Sequence, residues 1–71
     1  MAEDDIIVRD PAIMSGAPVV RGTRVPVSAI FENLADGLSI DEIVAQFPTL
    51  TRQLVERVLH EASRRFERPA A

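Results

Sequence analysis

The sequence predicts a mostly α-helical domain with a small β element: a short N-terminal strand and a β-hairpin, followed by a three-helix bundle. Two observations predict this fold class. Residues 16–27 combine glycine, proline and β-branched residues, a composition that is typical of tight turns between extended segments. From residue 26 onward, apolar residues recur at helical spacing in three successive segments.

The length of 71 residues allows a single domain. We expect a disordered acidic N-terminus at residues 1–5, the folded domain at residues 6–66 and a flexible tail at residues 67–71. A domain this small buries only about 60% of the surface that its unfolded chain exposes, so its stability is marginal. Because the chain has no cysteine for a disulfide, we expect a homodimer to supply additional burial.

The β element should lie at the start of the domain. Residues 6–8 form a short β-prone run, whose partner is either residues 18–20 or the same strand of a second chain. Gly22 can adopt a positive φ in a turn between residues 18–20 and 23–25, which both favour an extended path. Pro26 has a φ suited to the first turn of a helix, so the chain should change from strand to helix there.

Three helices are predicted at about residues 26–36, 39–47 and 52–67. In each helix, apolar residues lie three or four positions apart and share one face. In chain order these residues are Val27, Ile30, Phe31 and Leu34; Ile40, Ile43, Val44 and Phe47; and Leu54, Val55, Val58, Leu59, Ala62 and Phe66. The third apolar face is wider than one small core needs, so part of it should remain for a partner.

Capping residues mark the predicted helix ends. Gly37 should follow the end of helix one in a left-handed conformation. Ser39 and Glu42 have the spacing of a capping box at the start of helix two, and Thr51 is placed to cap helix three. Residues 48–51 then join the last two helices as a candidate helix-turn-helix, with a plain three-helix bundle as the alternative.

Three motifs stand out along the chain. They are Gly16-x-Pro18-x-x-x-Gly22-Thr23-Arg24-x-Pro26-Val27, Gly37-Leu38-Ser39 and Phe47-Pro48-x-Leu50-Thr51. Together they resemble the domain-of-unknown-function family four-three-three over roughly residues 6–62. The resemblance implies a VapB-like antitoxin, which is a bacterial helix-turn-helix protein paired with a PIN-like ribonuclease toxin.

The charge distribution favours DNA binding by the last third of the chain. The net charge is −3, but residues 48–71 carry five arginines against three acidic residues. In a helix-turn-helix, helix three would enter the major groove of operator DNA by its N-terminal turns, where Arg and Gln can read guanine and adenine. The expected DNA contacts are Arg52, Gln53, Arg57 and His60 on helix three, and Arg21 beside the hairpin turn. Glu56 opposes this interpretation unless it pairs with Arg52 or His60.

Arg24 has two interpretations. It flanks the turn together with Arg21, so it could grip a phosphate group; alternatively, it is a structural arginine tied to Asp10 or Glu32. We prefer the structural interpretation for Arg24. Ligand contact is assigned to Arg21, which lies nearer the tip of the turn.

The C-terminal residues are the expected toxin-binding segment. PIN-like nucleases, which the resemblance implies as partners, hold catalytic metal ions with clustered carboxylates. Arg64, Arg65 and Arg68 surround Phe66, so a guanidinium could pair with those carboxylates while the phenyl ring anchors in an apolar cleft. Two alternatives remain: the segment is a solvated chain end, or the apolar face of helix three binds the toxin without it.

Several functions are not expected from this sequence. It contains no nucleophile motif, phosphate loop or paired acids, which argues against an enzyme. With one histidine and no cysteine, neither a metal site nor another cofactor is expected. The acidic start and the lack of an apolar run of about 20 residues predict a cytoplasmic protein that does not enter a membrane. The alternatives to an antitoxin are a protein-binding inhibitor without DNA contact and a stand-alone transcriptional regulator.

Overall fold

A two-stranded sheet and three helices make up the computed structural model, which describes residues 5–67. The elements are strand β1 (Ile7–Val8), a 3-10 turn (Met14–Gly16), strand β2 (Val19–Val20), and helices α1 (Val27–Ala35), α2 (Ile40–Gln46) and α3 (Arg52–Glu67). The predicted fold class is therefore confirmed. Residues 1–4 and 68–71 lie outside the described residues. In the part that is described, no helix is both long enough and apolar enough to span a membrane.

Strand β1 pairs with β2 in antiparallel orientation, with Ile7 opposite Val20. Of the two partners predicted for residues 6–8, the one within the chain is therefore observed. The other side of β2 is covered by the chain that follows it, because the Val20 N–H donates to the Val25 carbonyl oxygen at 3.0 Å. Among the described residues, β1 thus has a neighbouring strand on one side only.

A tight turn leads from β2 into α1. Gly22 has a φ of +81°, a conformation that residues with a side chain rarely adopt. The Thr23 hydroxyl donates to the Val20 carbonyl oxygen at 2.8 Å and accepts from the Val25 N–H at 3.0 Å, so it bonds to both sides of the turn. Pro26 is the N-cap residue of α1, and the predicted change from strand to helix occurs there.

The predicted helix caps are present. Gly37 has a φ of +94°, and the Leu38 N–H donates to the Asn33 carbonyl oxygen at 3.0 Å, as in a Schellman motif. The capping box of α2 is complete, since the Glu42 N–H donates to Ser39 Oγ at 3.1 Å and the Ser39 N–H donates to Glu42 Oε1 at 2.7 Å. These local bonds explain why each helix bound lies within one residue of the predicted one.

The connection between α2 and α3 is short and anchored in the core. Leu50 is only 2% exposed, and its N–H donates to the Phe47 carbonyl oxygen at 2.8 Å. Thr51 Oγ1 accepts from the Leu54 N–H at 3.1 Å and so caps α3 as predicted. The order of α2, this turn and α3 matches that of a helix-turn-helix.

Branched aliphatic side chains from the β element and from all three helices form the core. The buried members are Ile6, Val20, Val25, Val27, Ile30, Ile43, Leu50, Val55 and Val58. Two residues predicted on the apolar faces are instead exposed: Phe31 is 39% exposed and Phe66 is 86% exposed. For Phe66 the reason is distance along the helix, because Val58 is the last buried residue of α3 and Phe66 lies about two turns beyond it.

Candidate nucleic-acid interface

The outward side of α3 carries a basic surface. Arg57, His60 and Arg64 lie at positions i, i+3 and i+7 of the helix and line one open groove together with Ile6 and Glu61. We call Arg57, His60 and Arg64 the basic face. All three residues are exposed. The face therefore presents two guanidinium groups and one imidazole to solvent.

The positive charge of the basic face is only partly compensated. Glu61 pairs with Arg64 at 3.2 Å and with Arg65, which points away from the face, at 2.9 Å. The side chain of Arg57 makes no hydrogen bond or ion pair within residues 5–67. Gln53 lies one turn before Arg57 and is exposed. Arg57 is thus the guanidinium best placed to receive a phosphate or a base, with Gln53 beside it.

Arg52, the first DNA contact predicted on α3, is held in an ion-pair network. Its Nη1 lies 2.8 Å from Asp41 Oδ1, and its Nε lies 3.1 Å from Glu56 Oε2. The hydrogen bond to Asp41, together with the charge of that carboxylate, raises the pKa of the Arg52 guanidinium. Since Asp41 belongs to the first turn of α2, the network links the two helices of the candidate helix-turn-helix. Of the two partners that would remove the objection of Glu56 to DNA binding, Arg52 is the one observed, whereas contact of Arg52 with DNA stays a prediction.

A second groove surrounds the turn after β2. Its basic side chains are Arg9, Arg21 and Arg24, and its other polar residues include Asp10 and Thr49. We call it the turn groove. Because Thr49 belongs to the connection between α2 and α3, the turn groove borders the candidate helix-turn-helix.

The two arginines of the turn differ in their contacts. Arg21 donates through Nε to a backbone carbonyl oxygen of the N-terminal segment. The preferred interpretation of Arg24 is wrong, because its exposed side chain makes no ion pair with Asp10, with Glu32 or with another described residue. Thr23 supplies the physical reason: its hydroxyl already holds both sides of the turn, which needs no structural arginine.

An apolar groove lies between α3, α1 and β1. Its lining residues are Ile7, Pro18, Val27, Phe31, Ala62, Arg65 and Phe66. The predicted toxin-binding residues are divided by this arrangement, because Arg65 and Phe66 line the apolar groove whereas Arg64 belongs to the basic face. Arg68 lies outside the described residues.

Comparison with known families identifies the domain. A family model described as "Protein of unknown function (DUF433)" matches residues 7–62. The chain belongs to the DUF433 family. This match confirms the resemblance that the three sequence motifs indicate. The matched segment contains both strands, α1, α2 and most of α3.

Two relatives extend the DUF433 comparison. The uncharacterized protein y4eO of Sinorhizobium fredii is 37% identical over 54 residues, which cover 76% of this chain but 24% of that protein. The crystal structure of a DUF433 member from Anabaena variabilis superposes with a TM-score of 0.75 at 24% identity, over 93% of this chain and 65% of that one. This chain thus spans about a quarter of the first relative and just under two thirds of the second. The second likeness shows the fold alone.

The DUF433 match contains part of both surfaces on α3. It includes Gln53, Arg57 and His60, and it ends before Arg64 and the C-terminal part of the apolar groove.

Sequence reasoning misses two residues of the turn groove, Arg9 and Thr49. For Arg9 a signal exists, since it is one of only three arginines before residue 48. Thr49 is brought there by the tertiary fold, which no local pattern indicates.

Proposed function

We propose that this DUF433 chain is the antitoxin of a bacterial type II toxin–antitoxin system. In this role it binds operator DNA through the basic face and binds and neutralises a PIN-like ribonuclease toxin through the apolar groove. The observation that carries the proposal is that α3 contributes to both surfaces on different sides. A protein that holds DNA and a toxin at the same time needs two surfaces that do not overlap.

The DNA-binding part of the proposal rests on Gln53 and Arg57. In a helix-turn-helix, the N-terminal part of the second helix meets the base edges in the major groove. Both side chains are exposed in that part of α3. A guanidinium can donate two hydrogen bonds to guanine, and a carboxamide can pair with adenine. His60 and Arg64 continue the row along the helix and suit contacts to the phosphate backbone.

The toxin-binding part rests on the exposed ring of Phe66 and on its neighbours in the apolar groove. An aromatic side chain that enters a partner's pocket contributes more binding energy than most interface residues. Arg65 lies at the rim of the same groove, where its ion pair with Glu61 can be exchanged for one with an acidic residue of the toxin. Arg64, which the sequence groups with this segment, serves the basic face instead.

Two matched variants test the division of the surfaces. Arg57→Ala and Arg65→Ala remove the same charge from the same helix, but on different sides. We expect Arg57→Ala to weaken binding to DNA upstream of the gene by about 1–3 kcal/mol, or about 5- to 150-fold in Kd, and to leave the toxin complex intact. Arg65→Ala should weaken the toxin complex and leave DNA binding unchanged. Gel-shift titrations at two salt concentrations and copurification with the co-expressed toxin measure the two effects.

The possible failures of this test have different meanings. If the wild-type protein binds toxin but no DNA, it is a protein-binding inhibitor. If it binds DNA and the adjacent reading frame encodes no toxin, it is a stand-alone transcriptional regulator. If the two variants weaken DNA binding equally, the assignment of DNA to the basic face is wrong.

We also propose that the DNA-binding form is a homodimer. Within residues 5–67, β1 pairs with β2 on one side only, so its outer edge can pair with β1 of a second copy. A two-fold axis at this edge would place two α3 helices for the two half-sites of a palindromic operator.

A further inference from the structure

The turn groove collects all arginines from the first two thirds of the chain. Residues 1–47 contain three arginines against eight acidic residues. All three arginines, which are Arg9, Arg21 and Arg24, line this one groove, where Asp10 is the sole acidic residue among the described lining residues. Positive charge concentrated in an otherwise acidic segment indicates an anionic ligand.

Two of the three guanidinium groups are open to such a ligand. Arg24 is exposed and makes no hydrogen bond or ion pair with any residue from 5 to 67. Arg9 has one long contact, 3.4 Å from Nη1 to the Gly16 carbonyl oxygen. Asp10 forms no ion pair with them in the described part of the chain, and its Oδ1 accepts from the Ala12 N–H at 2.9 Å. An anion in the groove would therefore pair with charges that these residues leave uncompensated.

The position of the turn groove, beside the candidate helix-turn-helix, indicates which anion it binds. Thr49 forms one wall and lies in the connection between α2 and α3. Arg21 links the groove to the basic face, because its Nε donates to the Asp5 carbonyl oxygen and its backbone N–H donates to the Ile6 carbonyl oxygen at 2.7 Å. Ile6 in turn lines the groove of the basic face. Through Arg21 and residues 5 and 6, the turn groove thus adjoins the groove of the basic face on α3.

We propose that the turn groove binds the phosphate backbone of the same DNA duplex that α3 contacts, an inference that rests on the proposed function. Guanidinium groups pair with phosphate through two parallel hydrogen bonds. Backbone contacts beside a recognition helix fix its register on the duplex without reading the sequence. Arg9 and Arg24 would each hold a phosphate group, while Arg21 joins the turn to the N-terminal segment.

A salt series tests the proposal. Fluorescence anisotropy would measure binding of the full chain to the operator duplex and to a scrambled duplex of the same length. The slope of log K against log salt is negative, and each lost phosphate contact reduces its magnitude by about 0.9. We therefore expect Arg24→Gln to reduce the magnitude of the slope by about 0.9, and Arg9→Gln with Arg24→Gln to reduce it by about 2. Both duplexes should weaken by the same factor, since no base contact is lost.

Two further variants sharpen the comparison. Thr49→Glu places a carboxylate on the opposite wall of the turn groove and should also weaken binding to both duplexes. Glu32→Gln removes a charge from an exposed position of α1 that lines neither the turn groove nor the groove of the basic face, so it should leave the slope unchanged. Circular dichroism checks that each variant is folded. If the double variant unfolds, Arg24→Gln alone decides the question, because the Arg24 side chain makes no hydrogen bond or ion pair within residues 5–67.

The outcomes separate this inference from the proposed function. Equal weakening on both duplexes with a slope of smaller magnitude supports the phosphate site. If the wild-type protein binds the operator and the turn-groove variants bind with the same affinity and slope, the phosphate site is overturned and the proposed function stands. If the wild-type protein binds neither duplex, both are overturned.

Discussion

Replacing Phe66 with alanine tests the proposed binding of the toxin to the apolar groove most directly. Because its side chain is 86% exposed, the ring adds little to the core, and we expect Phe66→Ala to change the free energy of unfolding by no more than about 0.5 kcal/mol. The same exposure determines how much binding free energy is gained when a partner covers the ring. A phenylalanine buries about 150–250 Å², so covering the exposed 86% at about 25 cal/mol per Å² is worth roughly 3–5 kcal/mol before the costs of association.

Phe31 offers an internal comparison in the same groove. It is 39% exposed, so by the same arithmetic a partner gains only about 1.5–2.5 kcal/mol by covering it. The remainder of its ring already packs within the domain. Phe31→Ala should therefore cost more stability than Phe66→Ala and less toxin affinity, and the order of the two variants reverses between the two measurements.

Calorimetric titration of purified toxin and thermal melting of the free protein measure these two effects. We expect Phe66→Ala to lower toxin affinity by at least about 2 kcal/mol, or about 30-fold in Kd, with a melting temperature close to that of the wild type. Ser63→Ala, also an exposed position of α3 but outside the apolar groove, is the control. Unchanged toxin affinity of Phe66→Ala would refute the assignment of the apolar groove to the toxin.

Two further predictions concern assembly and stability. Light scattering behind size exclusion should give twice the chain mass at micromolar concentration, and a monomer mass with a melting temperature that does not change on dilution would contradict the dimer. Thr23→Val keeps the shape of the side chain but removes both hydrogen bonds of the turn, so it should cost about 1–3 kcal/mol, or at least about 4 °C in melting temperature. Thr49→Val is its control, since the exposed Thr49 hydroxyl makes no hydrogen bond within residues 5–67, and equal melting temperatures for the two variants would show that the turn does not depend on Thr23.

The helices could be predicted because their ends are fixed by local chemistry. Gly37 and the pair Ser39 and Glu42 act through bonds that span no more than a few residues, and their spacing is readable from the chain. The partner of β1 could not be decided in this way. Residues 6–8 carry the same β-prone pattern whether they pair within the chain or with a second copy, and only the tertiary fold shows the antiparallel pairing with β2.

Burial was harder to predict than helix position. Helical spacing gives the direction in which a side chain points, but not how far the core extends in that direction. Val58 and Phe66 share the apolar side of α3, yet Val58 is fully buried and Phe66 is 86% exposed. The difference arises because the core ends near Val58, so the last turns of α3 carry their apolar residues to the surface.

The candidate sites show why neighbours in sequence are a poor guide to shared function on a helix. Arg64, Arg65 and Phe66 are consecutive, and each step along an α-helix rotates the side chain by about 100°. Arg64 therefore joins Arg57 on the basic face, whereas Arg65 and Phe66 line the apolar groove. Side chains that are distant in sequence can be brought together by the same fold, as Arg9, Arg24 and Thr49 are in the turn groove. If the basic face and the turn groove bind one duplex, the net charge of −3 does not oppose DNA binding, because the phosphates meet only the part of the surface where the arginines are concentrated.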